Sequence, residues 1–301
     1  MAAKRTFVEE LGQFSEELDY RALSDEVREQ LKIRILDSIG CCIGALDGEP
    51  VRAVREQVDE FGGRGRCTLV GGGQEGGGTS PDRAAFHNGA LLRYLDFMDN
   101  YMGKKQSCHP SDNFAPVLAA SEYAGTNGKI FMLALALAYA VEIKLIDLIP
   151  LEEKGFDHTA HLAYSMAAGI SRALGLDAKR TAHALAMSGT AFQGLVASRS
   201  GYLSHWKGLA SATLALGVMN TTFLARRGVT GPLEVLEGKG GLLQATGAGK
   251  VKLEWSKEDL QLVTRTPVKA YNAEVHAQSA IEGVLELQKA NGLSAAEVEE
   301  V

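Results

Sequence analysis

Between Arg93 and Asp112 the chain collects more chemistry-bearing side chains than anywhere else. Asp96, Asp99, Lys104, Lys105 and His109 fall in this one segment, which lies between two apolar stretches. Buried carboxylates and imidazoles are costly unless paired, so such a segment reads as the rim of a candidate active site. Asp96 and Asp99 are three apart and share a face if the turn is helical. They are either a base with a cation-orienting carboxylate or ordinary helix-end turn residues. His109 is held extended by Pro110. Such an imidazole suits proton transfer near neutral pH, although a loop histidine bonded to a backbone carbonyl is the plainer reading.

Other candidates lie further along. His158 and His161 could share a helix face, but zinc needs a third protein ligand and the spacing supplies none. A helix-start cluster after Asp157 is the simpler reading, and His183 in an apolar helix reads as structural. Arg199, His205 and Lys207 surround Trp206. Arg suits bidentate carboxylate recognition and Lys acts as a point charge; a solvated interhelical loop is an equal alternative. Lys269, Tyr271, Glu274 and His276 cluster where the composition changes. Ligand sites favour such junctions, and a surface strand would also explain the pattern.

Helices must position these groups. Ser24 before Asp25 and Glu26 predicts an N-cap. Val27, Leu31, Ile35 and Ile39 predict a buried stripe. Pro81 predicts a first helical turn. Further helices are expected at Ala115–Tyr123, Ile130–Ile146, His161–Leu174, Ala178–Met187 and Gly208–Arg226. Their many Ala and Gly residues suit close helix contacts. Arg66–Val70 reads as a possible short strand. Gly71–Gly78 lacks the lysine of a phosphate loop and the βαβ frame of a dinucleotide fold, so it reads as a connecting loop. Beyond Thr264, Val268–Asn272 reads as extended, Ala277–Leu287 as helical, and Ser294 with Glu297 as a capping box.

The whole chain sets limits. Its 301 residues fit one large domain or two ordinary ones. With 46% apolar and 23% charged residues it is globular. A net charge of −6 gives no general field for nucleic acid, so an anion must be held by a local cationic cluster. Cys41, Cys42, Cys67 and Cys108 show no disulfide framework, which suggests free thiols in a reducing compartment. No secretory signal is visible, and Ile130–Val141 is too short to span a bilayer. A cytoplasmic protein without membrane or nucleic-acid partners is expected.

Five stretches, taken in order, resemble the MmgE/PrpD family, most closely its 2-methylcitrate dehydratase branch. They are His-Asn-Gly-Ala-Leu-Leu-Arg-Tyr-Leu-Asp-Phe (87–97), Cys-His-Pro-Ser-Asp-Asn (108–113), Gly-Phe-Asp-His-Thr (155–159), Leu-Ser-His-Trp-Lys-Gly (203–208) and Ala-Glu-Val-His-Ala-Gln (273–278). The resemblance implies a mainly α fold: a large all-helical domain (1–265), then the start of a smaller α+β lid domain (266–301), with the site between them. Family members usually run well past 400 residues, so most of the lid is expected to lie outside this chain. The resemblance also implies catalysis without a metal or organic cofactor on a small tricarboxylate, and a homodimer. It implies catalytic roles for Asp96, His109 and Lys207, and substrate binding by Arg93, Arg199, Lys269 and His276. Dehydration is the expected reaction; epimerisation, decarboxylation or silent carboxylate binding are the alternatives. The chain departs from the branch at Met98-Asp99-Asn100, where Asn-Asp-Thr is common. Its Glu274-Val275-His276 is dehydratase-like.

Overall fold

The computed structural model describes residues 5–72, 78–292, 294–298 and 300. Helix accounts for 64%, and the only paired strands among the described residues are two residues long, so the expected mainly α class holds.

Three helices open the chain: α1 (Phe7–Glu17), α2 (Asp25–Gly44) and α3 (Glu49–Phe61). Ser24 caps α2 by accepting the Val27 N–H at 3.2 Å. The predicted stripe on α2 holds only at its start. Val27 and Leu31 are buried, but Ile39 is 39% exposed, while Arg34, Ser38, Cys41 and Cys42 face inward. A strict four-residue repeat drifts by about 40° per step against 3.6 residues per turn, and so leaves the core.

The centre is built from α4 (Pro81–Tyr94), α5 (Phe114–Ala124), α6 (Gly128–Leu148), α7 (Thr159–Ala173), α8 (Ala178–Ala191) and α9 (Trp206–Arg226). Each matches an expected helix to within a few residues. Nearly every side chain of α7 is buried, because α5, α6, α8 and α9 surround it. Small residues make this possible: a Cβ on Gly169 would sit 2.7 Å from Val117 Cγ2 and 3.0 Å from Ala138 Cβ. The core includes Leu91, Leu92, Phe114, Leu137, Tyr139 and Tyr164, all almost fully buried. Truncating Leu137 to Ala would cost about 2–5 kcal/mol.

Two local readings change, and a third falls largely outside the described residues. Arg66–Val70 forms isolated bridges at Gly65–Gly78 and Cys67–Thr79 rather than a strand. Most of the glycine run, residues 73–77, lies outside the described residues. Val268–Asn272 forms no strand, since no strand among the described residues offers its backbone partners. After the short α10 (Leu242–Thr246), the last helix is α11 (Gln278–Asn291), none of whose residues is buried. The expected capping box is present: Glu297 accepts the Ser294 N–H at 2.7 Å.

Candidate active site

The end of α4 sets up the site. Leu95 caps the helix, and Asp96 follows with φ of +49°. Left-handed backbone is uncommon for a residue with a side chain, and Asp is among those that tolerate it best. The chain then folds into an antiparallel pair, β1 (Tyr101–Met102) and β2 (Ser107–Cys108). This reversal leaves Lys104 and Lys105 exposed at its tip. It also brings His109 back to Asp99, whose carbonyl lies 3.0 Å from His109 Nδ1. Pro110 then starts a short 3-10 turn, Pro110–Asn113, that leads into α5.

Two distant lysines converge on Asp96. Lys207 stands in the first turn of α9, and its Nζ is 3.9 Å from Asp96 Oδ2. The helix N-terminus adds a further positive contribution there. Lys269 approaches from the C-terminal segment, with Nζ 3.3 Å from Asp96 Oδ1 and a hydrogen bond to the Asp96 carbonyl. The Lys269 side chain is only 3% exposed, while that of Asp96 is 33% exposed. Contacts just before the lysine anchor its segment: the Asn100 N–H donates to the Pro267 carbonyl at 3.1 Å, and Arg34 Nε donates to Thr266 Oγ1 at 3.0 Å. Arg93, Asp96, Ser204, His205 and Lys207 help line a cavity of about 290 Å³ beside this group, near the lower end of the range for small-ligand pockets.

A chain of alternating charges supports His109 from behind. The His109 and His158 rings meet edge to face, with centroids 5.6 Å apart. His158 Nδ1 is 2.9 Å from Asp157 Oδ1, and its Nε2 is 3.7 Å from Asp112 Oδ2. Arg199 Nε donates to Asp157 Oδ1 at 2.6 Å. Arg93 Nε lies 3.7 Å from Asp112 Oδ1, which also accepts from Ser211 Oγ at 3.2 Å.

These surroundings separate the two histidines electrically. Burial, reinforced by the Arg93 and His158 charges, holds His109 well below the ordinary histidine value. It is therefore neutral near pH 7. For His158 burial also opposes charge, but the Asp157 and Asp112 carboxylates outweigh it and raise its pKa. Asp157 responds in the opposite sense: burial favours its neutral form, and His158 with Arg199 nevertheless pulls it well below the carboxylate range.

The expected residues divide into three groups. Asp96, Lys207 and Lys269 form one cluster. His109 and Arg199 belong to a second group, joined through His158, Asp112 and Asp157, and Arg93 connects the two, lining the cavity while it faces Asp112. Both arginines are already paired with protein carboxylates, so their immediate work is to hold those carboxylates. His276 is not brought to either group; it is 72% exposed and lies 2.9 Å from Glu274 Oε1. His158, which the sequence places only in a helix-start cluster after Asp157, stands here between Asp157 and the His109 ring. His161 is structural: its Nε2 lies 2.7 Å from the Ile149 carbonyl, and burial pushes its pKa down to about 4. Among the described residues, no three His, Cys, Asp or Glu side chains are grouped to hold a metal ion.

Comparison with known proteins places this geometry in context. Residues 9–254 match the model of the MmgE/PrpD N-terminal domain. The mitochondrial 2-methylcitrate dehydratase of Yarrowia lipolytica is 26% identical over 289 residues, covering 90% of this chain and 54% of that protein. The 2-methylcitrate dehydratase of Cupriavidus necator is 26% identical, covering 86% and 56%. That of Salmonella typhimurium is 25% identical, covering 94% and 62%. The chain thus spans somewhat over half the length of these relatives.

Proposed function

This chain belongs to the MmgE/PrpD family, and from that premise we propose that it serves a cofactor-independent hydro-lyase acting on 2-methylcitrate or a closely related tricarboxylate. The carrying observation is an Asp96 that two lysines flank beside a cavity, with His109 kept neutral by burial and by the charge of Arg93, which lines that cavity. Eliminating water from such an acid requires removing a proton next to a carboxylate and stabilising the charge that develops. A neutral imidazole can accept that proton; a protonated one cannot. In this reading His109 Nε2 takes the proton from carbon, the C–H electron pair becomes the new double bond, and the C–O bond breaks. The hydroxide leaves as water with a proton delivered from the Lys207–Asp96 side. Lys207 and Lys269 hold substrate carboxylates, while Arg93 and Arg199 fix Asp112 and Asp157 behind His158. The names of the relatives support the choice of dehydration over epimerisation or decarboxylation.

The test incubates the protein with 2-methylcitrate, citrate, cis-aconitate and iminodisuccinate and follows products by NMR. Dehydration of methylcitrate is expected, with His109→Ala slowing it by roughly 10²–10⁴-fold, the usual contribution of a general base. Turnover unchanged by that substitution would exclude His109 as the base. Selective turnover of another acid would move the reading to a different reaction.

A further inference from the structure

We propose that Asp99 is the positioning residue for His109: its carbonyl holds the ring, its carboxylate holds the turn that carries the histidine, and its neighbour Asn100 ties both to the segment that carries Lys269. The inference rests on the reading of His109 as the base.

Asp99 is completely buried, in a place where an apolar side chain would be the cheaper occupant. Its backbone carbonyl accepts the His109 Nδ1 proton at 3.0 Å. That bond selects one tautomer and leaves Nε2 unprotonated. Its carboxylate works on the turn that carries the histidine: Asp99 Oδ1 accepts the Ser111 N–H at 2.9 Å. The first N–H groups of a helical turn have no partner within the turn, so Asp99 caps this one from twelve residues away. The next residue extends the connection, because the Asn100 N–H donates to the Pro267 carbonyl, two residues before Lys269. Asp99 and Asn100 thus set the spacing between a ring nitrogen on one side and an ammonium group on the other. Neither contact reaches the substrate cavity, so Asp99 acts only through His109 and its neighbours.

The decisive measurement is the ¹⁵N shift of the His109 ring in the full chain without substrate, assigned by comparison with His109→Gln. In the wild type, Nδ1 is expected to carry the proton. Asp99→Ala is expected to give a mixture of tautomers and to lower kcat on the order of a hundredfold with little change in KM, since misplacement of about 1 Å costs that much. Asp99→Asn keeps an oxygen for Ser111 and is expected to stay near wild type in both readouts. An Nδ1 without a proton in the wild-type protein overturns the proposal, and needs no variant. So does a folded Asp99→Ala variant with wild-type ring shifts, or an Asp99→Asn variant as impaired as Asp99→Ala. If no tricarboxylate is turned over, the proposed activity fails, while the ring shifts still judge the positioning role.

Discussion

Replacing Glu142 by Gln should make the protein more stable, and increasingly so as pH rises. Glu142 lies on α6, fully buried, with Oε2 accepting from Asn113 Nδ2 at 2.8 Å. Its other oxygen has no hydrogen-bond partner among the described residues. Burial is the main reason its pKa is pushed up to about 8 from an ordinary 4.5. The folded protein therefore keeps this proton until about pH 8, while the unfolded chain releases it near 4.5. Between those values the folded state binds a proton that the unfolded state lacks, so stability is lost as pH rises. At about 1.4 kcal/mol per pH unit, the loss from pH 5.5 to 7.5 is about 3 kcal/mol. Glu142→Gln retains an oxygen for Asn113 and does not titrate. Urea unfolding of both proteins at the two pH values measures the effect. The stability difference should move in the variant's favour by about 2–3 kcal/mol. A difference that stays constant between pH 5.5 and 7.5 would show that folded Glu142 is already ionised.

Three further predictions concern other parts of the molecule. Asp157→Asn removes the carboxylate that most favours a charged His158, so the His158 pKa should fall in an NMR titration; an unmoved titration refutes the assignment. The same change breaks a buried pair and should lower stability by about 3–5 kcal/mol. Gly169→Ala forces a methyl group against Val117 and Ala138, and should cost about 1–3 kcal/mol in chemical denaturation. Lys269→Met leaves Asp96 with Lys207 alone, and should lower kcat/KM by roughly tenfold to a hundredfold, the worth of a hydrogen bond to a charged group; unchanged kinetics would remove Lys269 from substrate binding.

Local signals made the helices readable. Ser24 and Pro81 opened helices where expected, and the apolar runs of α5 to α9 had the length and period that a buried helix requires. Two further helices carry equally good local signals: Thr6 and Glu9 form a capping box ahead of α1, and Val51, Val54 and Val58 mark the buried face of α3. The hairpin at Tyr101–Cys108 could not be read in this way, because two residues per strand are too few to show a period of two. Yet that hairpin brings His109 onto Asp99. The meeting of Asp96, Lys207 and Lys269 was no more visible from spacing, because Asp96 and Lys269 are 173 residues apart. Only the ordered resemblance pointed to it. For His109 the plain reading holds: the ring does bond a backbone carbonyl, and that bond is compatible with the proposed role, because it leaves the other nitrogen free.

The distribution of charge indicates where an anion can enter. In the rear layer Arg93 and Arg199 face Asp112 and Asp157, so their charges cancel before His158 is counted. His109 beside them is neutral. At the front, two lysines face the single carboxylate of Asp96. A positive excess therefore gathers around Asp96, with Lys207 lining the cavity and Lys269 approaching Asp96 from the C-terminal segment, on a chain whose net charge is −6. Lys269 is nearly sealed from solvent, and a sealed ammonium group with half a partner gains most from a second anion that excludes water. Asp96 is held in left-handed backbone by contacts that include Lys269 itself, so removing the lysine disturbs the aspartate as well as the charge. A neutral ligand of the same shape would leave that excess uncompensated. Affinity should therefore depend on the ligand's carboxylates and fall steeply when they are esterified.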